Sequence, residues 1–250
     1  MPMSRVSILG IPIDALTRLQ AVGLLLSFLE NPKQHHVMTP NAEMLVESTK
    51  NPAFREVLLQ SDLNLPDSQG LVWAASLMGE HLPQRVTGVD TMIDLCSTLT
   101  DHSVFLLGAA EGVALRAADI LQKKNPHLHI VGTFSGTPKD ENAADVIRRI
   151  NAASPQLLLV AYGAPAQDLW IDKHLAEMPS VRVAMGVGGT FDFIAGTRKR
   201  APNIFQVTGL EWLWRLILEP SRFPRIFNAV VVFPVLVLHF GSKGPRAAAQ

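Results

Sequence analysis

The chain has a single cysteine, Cys96, among 250 residues. No intrachain disulfide is available, so the fold must be held by its core. Cys96 falls at a helix-like apolar position in DTMIDLCSTL and reads as a buried thiol. This usage suits a reducing compartment. Net charge is also missing, since 22 basic residues balance 22 acidic ones. Without a basic surplus, general nucleic-acid binding has no support, and any basic site must be local. The first residues, MPMSRVSILGIPID, lack the apolar run and cleavage site of a secretory signal, so a cytoplasmic protein is expected. Internal repeats and low-complexity segments are absent.

Several familiar chemistries are missing too. The sequence contains no Asp-x-Asp, the usual metal clamp for a nucleotide-sugar diphosphate. It has no G-x-S-x-G elbow and no Walker loop. His35-His36 and His127-x-His129 lack cysteines or acids at metal spacing, which favours structural roles. GAAEGVA (108–114) follows a strand and opens a helix, but the full G-x-G-x-x-G pattern is not there. The next strand, HLHIVGTF, ends without an acid to hold a ribose. A tight strand-to-helix turn fits better than a nicotinamide site, and neither a metal nor a cofactor is expected.

What is present is apolar sequence, 48% of the chain, enough for a large core. Strand-like runs alternate with helical ones: SVFLLG, EGVALRAADILQKKN, HLHIVGTF, KDENAADVIRRINAA, QLLLVAYG, QDLWIDKHLAEM, VRVAMGVG. The first half alternates less regularly, from SRVSILGI through HHVMTPN to DLNLP. This pattern predicts an α/β fold, a Rossmann-like, mostly parallel sheet with helices on both faces. Ligands in such sheets bind at the carboxyl ends of the strands. The loops there are TPN, PDSQG, GAAEG, YGAPAQD and GVGGTFD.

Each loop admits a bland and a functional interpretation. Asp67 in NLPDSQGLVWA is a cap or turn residue by local rules, or a carboxylate facing a ligand. Asn41 is a good N-cap for the helix after TPN. Gln167 is a first-turn residue, with Pro165 near the helix start, or a donor and acceptor for sugar or uracil. Gly186, Gly188 and Gly189 make a tight turn, or bring backbone N–H groups close to a diphosphate at a helix N-terminus.

After about Gly209 the composition changes, dividing the chain into a 1–209 domain and a 210–250 appendage. Arg215, Arg222 and Arg225 alternate with Trp212, Trp214, Phe223 and Phe227, the chemistry of an interfacial membrane segment. A hydrophobic helix packed on protein reads equally well. The apolar run 229–238 contains Pro234 and is too short to span a bilayer. Self-association could mask such a tail.

The motifs, in order, resemble the WecG/TagA/CpsF family of glycosyltransferases (glycosyltransferase family 26). The matching pieces are TPNAEML, DLNLPDSQGLV, RVTGVD, FLLG, YGAPAQDLWI, GVGGTFDFIAG and RAPNIFQVTGLEWLWRLILEPSR. The resemblance implies an inverting, metal-independent enzyme. It would move an N-acetylmannosamine-type sugar from a UDP donor to N-acetylglucosamine on a polyprenyl diphosphate at the cytoplasmic leaflet. It implies that Asp67 is the base, that Thr39, Asn41 and Gln167 line the pocket, and that Arg215, Arg222 and Arg225 lie near the membrane. Arg85, by its place in RVTG, is a candidate for stabilising the leaving UDP, with Gly188 and Gly189. The family pattern has glycine after the aspartate and glutamate after the glutamine, where this chain has Ser68 and Asp168. Two rivals are a nucleotide-dependent oxidoreductase on the same layers and a non-catalytic membrane-associated assembly subunit.

Overall fold

A computed structural model describes residues 4–202, 204–205 and 208–244. Its centre is a six-stranded parallel sheet in the order β4-β3-β8-β7-β5-β6. The strands are β3 (His35–Met38), β4 (Leu63–Asn64), β5 (Ser103–Gly108), β6 (His129–Phe134), β7 (Leu157–Ala161) and β8 (Val183–Gly186). β3, β7 and β8 are buried throughout, the signature of strands covered on both faces.

One face packs against α1 (Arg18–Glu30), α5 (Gly88–Thr98), α6 (Val113–Lys124) and α9 (Thr190–Ala195), with Cys96 in this core. The other face meets α7 (Asp140–Ala153) and α8 (Ala166–His174) through Phe105, Leu158 and Trp170. The expected α/β architecture is therefore present. Helix starts follow local chemistry: Thr17 and Gln20 form a capping box on α1, and Asn51 with Pro52 opens α3 (Pro52–Gln60).

The N-terminal run departs from expectation. SRVSILGIPID does not join the parallel sheet. It forms an antiparallel hairpin, β1 (Arg5–Ile8) and β2 (Ile11–Asp14). Leu9 and Gly10 both take positive φ, 53° and 77°, and close a two-residue turn. Asp14 is fully buried and ties the hairpin to the sheet. Its carboxylate accepts from Arg5 Nε and from the Asn64 amide of β4, each at 2.7 Å. The Asn64 side chain donates in turn to the carbonyls of Pro12 and Leu58. These bonds fix the short edge strand that leads into Pro66-Asp67.

The C-terminal segment comprises α10 (Glu211–Leu218) and a continuous helical run, Pro220–Phe240. That run is longer than the apolar stretch 229–238 suggested. By length and composition it could cross a membrane. Pro234 does not break it, because it falls in the first turn of the last segment, Phe233–Phe240, after a π turn at Asn228–Val232. Its two sides differ. Phe233 and Val237 are buried with α2 (Ala42–Ser48), α4 (Gln69–Leu77) and the hairpin, whereas Val231, Val235 and Leu238 are exposed. Beyond the helix, the carbonyls of Gly241 and Ser242 accept from the amides of Leu9 and Gly10 at 2.9 and 3.0 Å.

Candidate active site

Asp67 follows the edge strand β4, and local backbone bonds hold its loop. The Asp67 amide donates to the Pro40 carbonyl at 2.9 Å, and the Val86 amide donates to the Pro66 carbonyl at 2.8 Å. The TPN, PDS and RVTG segments are thus stitched together. Ser68 needs no glycine-like backbone: its φ is −130°. Its hydroxyl also accepts from the Ala42 amide at 3.2 Å, so it binds the Asp67 loop to the start of α2. Serine in place of the family's glycine therefore fits this loop.

Asp67 opens onto a cavity of about 460 Å³ but is otherwise surrounded by protein. Burial pushes its carboxyl up from 3.8 to about 7. Arg85 and Arg215 pull against that rise, Glu211 adds to it, and a hydrogen bond from the Gly88 amide lowers it. Gly88 is the first residue of α5, where free amides and the helix dipole favour an anion. Thr39 lies under this turn: a Cβ on Gly88 would come 3.1 Å from Thr39 Oγ1.

Asn41, Arg85, Arg215, Arg222 and Arg225 line the same cavity as Asp67. Each already has a partner. Asn41 caps α2 by accepting from the Met44 amide at 3.0 Å, so the capping interpretation holds for its side-chain oxygen. Glu211 bridges Arg85 and Arg215, accepting at 3.0 and 3.1 Å. Arg215 also lies over the Phe193 ring, 5.6 Å from its centroid. Arg222 pairs with Glu219 and Arg225 with Glu43.

The remaining sequence candidates form a neighbouring cluster at the ends of β7 and β8, outside that cavity. Thr39 is buried, and its hydroxyl donates to the Gly186 carbonyl at 3.4 Å. Gln167, also buried, uses Oε1 to accept from the Gly163 and Gly188 amides, at 3.1 and 3.0 Å. It is a strut joining two loops. Gly186 permits this packing: a Cβ there would lie 2.5 Å from both Gln167 Nε2 and Asp168 Oδ1. Gly188, at φ 53°, takes the left-handed turn into Gly189, which precedes α9. Asp168 is fully buried beneath, with Oδ1 3.9 Å from His36 Nε2, and burial pushes its carboxyl up.

GAAEGVA is a tight turn, as expected, with Gly108, Ala109 and Gly112 at positive φ. Two cavity residues were not singled out from the sequence. Arg200 holds Asp90 with two bonds of 2.6 and 2.8 Å, which keeps that carboxyl low, at about 2. Glu211 is the carboxylate shared by two arginines. Both lie inside RAPNIFQVTGLEWLWRLILEPSR, and each meets a partner more than a hundred residues away, Asp90 for Arg200 and Arg85 for Glu211.

The sequence profile described as the glycosyl transferase WecG/TagA/CpsF family matches residues 6–246. An N-acetylglucosaminyldiphosphoundecaprenol N-acetyl-beta-D-mannosaminyltransferase of Bacillus spizizenii is 33% identical over 204 residues, covering 81% of this chain and 78% of that protein. The Staphylococcus aureus protein of the same name is 31% identical over 228 residues, covering 89% and 88%. This breadth of match removes the oxidoreductase and non-catalytic alternatives. The chain belongs to the WecG/TagA/CpsF family and is a glycosyltransferase.

Proposed function

We propose that this enzyme transfers an N-acetylmannosamine-type sugar from a UDP donor to N-acetylglucosamine on a polyprenyl diphosphate. The relatives' names specify that acceptor and a β-mannosaminyl product. The observation that carries the mechanism is the Asp67 carboxyl, poised near 7 in a cavity lined by arginines. A sugar hydroxyl is a weak nucleophile until its proton is removed. Asp67 takes that proton as the acceptor oxygen attacks C1. The bond from C1 to the diphosphate breaks, its electrons leave with UDP, and an α-linked donor yields the β product by inversion.

Negative charge then sits on the diphosphates. Arg85 and Arg215 meet it inside the cavity, with no metal ion required in the step. The Gly186–Gly189 turn, braced by the Gln167 bond to the Gly188 amide, leads into α9, whose N-terminus favours an anionic donor group. Arg222 and Arg225 would exchange Glu219 and Glu43 for lipid phosphate.

The enzyme works as a peripheral protein on the cytoplasmic membrane face, and the 210–250 appendage makes the contact. Lying on the bilayer fits better than crossing it, because Phe233 and Val237 are buried in the domain and the helix end is bonded to the hairpin. The test is transfer from a panel of UDP-sugars to N-acetylglucosaminyl-diphosphopolyprenol, with and without EDTA. Transfer from UDP-N-acetylmannosamine at the same rate in EDTA is expected. A rate that collapses in EDTA and returns with a divalent cation would overturn the metal-free mechanism.

A further inference from the structure

The cavity around Asp67 continues outward as a groove with apolar walls. One wall is α4, where Trp73 and Leu77 stand one turn apart, 58% and 65% exposed. The facing wall is the 220–240 helix, with Val230 and Pro234 towards the groove; Ala74 and Phe233 are buried beside it. From Arg225 to Val237 this wall runs about 18 Å at 1.5 Å per residue. The core on this side is already closed by Phe233 and Val237, so Trp73 and Leu77 are not needed for packing. Two large apolar side chains held in water across from an apolar helix mark a surface that waits for a ligand.

The geometry points to the polyprenyl chain of the acceptor as the occupant: its first isoprene units lie between α4 and the 220–240 helix. This rests on the acceptor assigned above. Charge selects an amphiphile, because the groove is continuous with a cavity lined by Arg85, Arg215 and Arg225, and its occupant must join an anionic head directly to an apolar tail. A protein segment would bring backbone N–H and C=O groups between walls that offer them no partner. The tail end of the groove, at Leu77 and Val237, lies by the exposed Val235 and Leu238, where a longer chain passes into lipid.

The test compares two soluble N-acetylglucosaminyl-diphosphate acceptors without micelles or vesicles, one farnesylated and one carrying a short alkyl group. The wild-type enzyme should prefer the farnesyl acceptor in kcat/KM. Leu77→Glu and Trp73→Ala should each reduce that preference roughly tenfold, the effect of losing contact with one or two buried methylene-sized groups. The change should appear in KM. Both side chains are exposed, so the fold should tolerate the substitutions; circular dichroism checks this. Equal wild-type efficiency on the two acceptors, or variant losses equal on both, overturns the groove alone. Wild-type transfer to neither acceptor overturns the acceptor assignment and the groove with it.

Discussion

Replacing Asp67 with asparagine should stabilise the protein while disabling it. The carboxyl is raised from 3.8 to about 7 chiefly by burial. At 1.36 kcal/mol per pH unit, that rise disfavours the ionised form by roughly 4 kcal/mol. The sign follows from proton binding. The folded chain holds the Asp67 proton more tightly than the unfolded chain does. The contribution to stability is therefore complete below about pH 4, declines as pH rises, and is gone above about pH 7. Asparagine has no charge to bury and escapes this decline. Solvent in the cavity screens part of the effect, so a gain of about 1–3 kcal/mol is expected at pH 8. For a chain of this size that raises Tm by about 2–10 °C. At pH 5 the gain should shrink. Over the same range, wild-type kcat/KM should rise through an apparent pKa near 7, and Asp67→Asn should lower kcat by roughly 10²–10⁴-fold. Thermal unfolding at both pH values, with a pH–rate profile, checks both halves. A Tm difference independent of pH, or an acid limb near pH 4, would refute the reasoning.

Other perturbations follow from the same site. Glu211→Gln removes a negative neighbour that raises the Asp67 carboxyl and loosens Arg85 and Arg215, so the acid limb of kcat/KM should move to lower pH. Gln167→Leu leaves the Gly163 and Gly188 amides unpaired, costing about 1–3 kcal/mol in urea unfolding, with slower turnover as the GVGG turn loosens. Phe223→Ser combined with Phe227→Ser removes two exposed rings, and affinity for anionic vesicles in sedimentation should fall about tenfold or more. Point changes are cleaner here than truncation, because deleting the appendage would also remove Phe233 and Val237 from the core.

The parallel sheet was legible because its strands are short, apolar and separated by helical periods. β5, α6, β6, α7, β7, α8 and β8 appear where the alternation places them. The hairpin was not legible, since Leu stands where a two-residue turn usually has Asn or Asp before Gly10, and the second strand contains Pro12. Its position depends on Asp14 meeting Asn64, a contact across fifty residues. In the site, motif order brought Asp67, Asn41 and three appendage arginines to one cavity. The partners of those arginines stayed hidden, because Glu43 is distant in sequence and Glu211 looks like an ordinary helix-start acid. The family resemblance alone implies that Gln167 lines the pocket, since local rules also allow an ordinary first-turn residue. Its actual bonds, to amides in two loops, depend on the spacing of β7 and β8 and leave no local trace.

The joint between the hairpin and the chain end bears on how the protein is made. Ser7 Oγ donates to the Ser242 carbonyl, a contact spanning 235 residues. At about 5–20 residues per second, the ribosome takes roughly 10–50 s to deliver that second partner. Through that interval the hairpin waits without the strap that covers it, and the wall opposite α4 does not yet exist. The nascent chain thus supplies the 220–240 helix and Ser242 long after Asp67 has emerged. A chaperone that shields residues 4–14 during translation should raise the yield of folded enzyme more than one that acts after release.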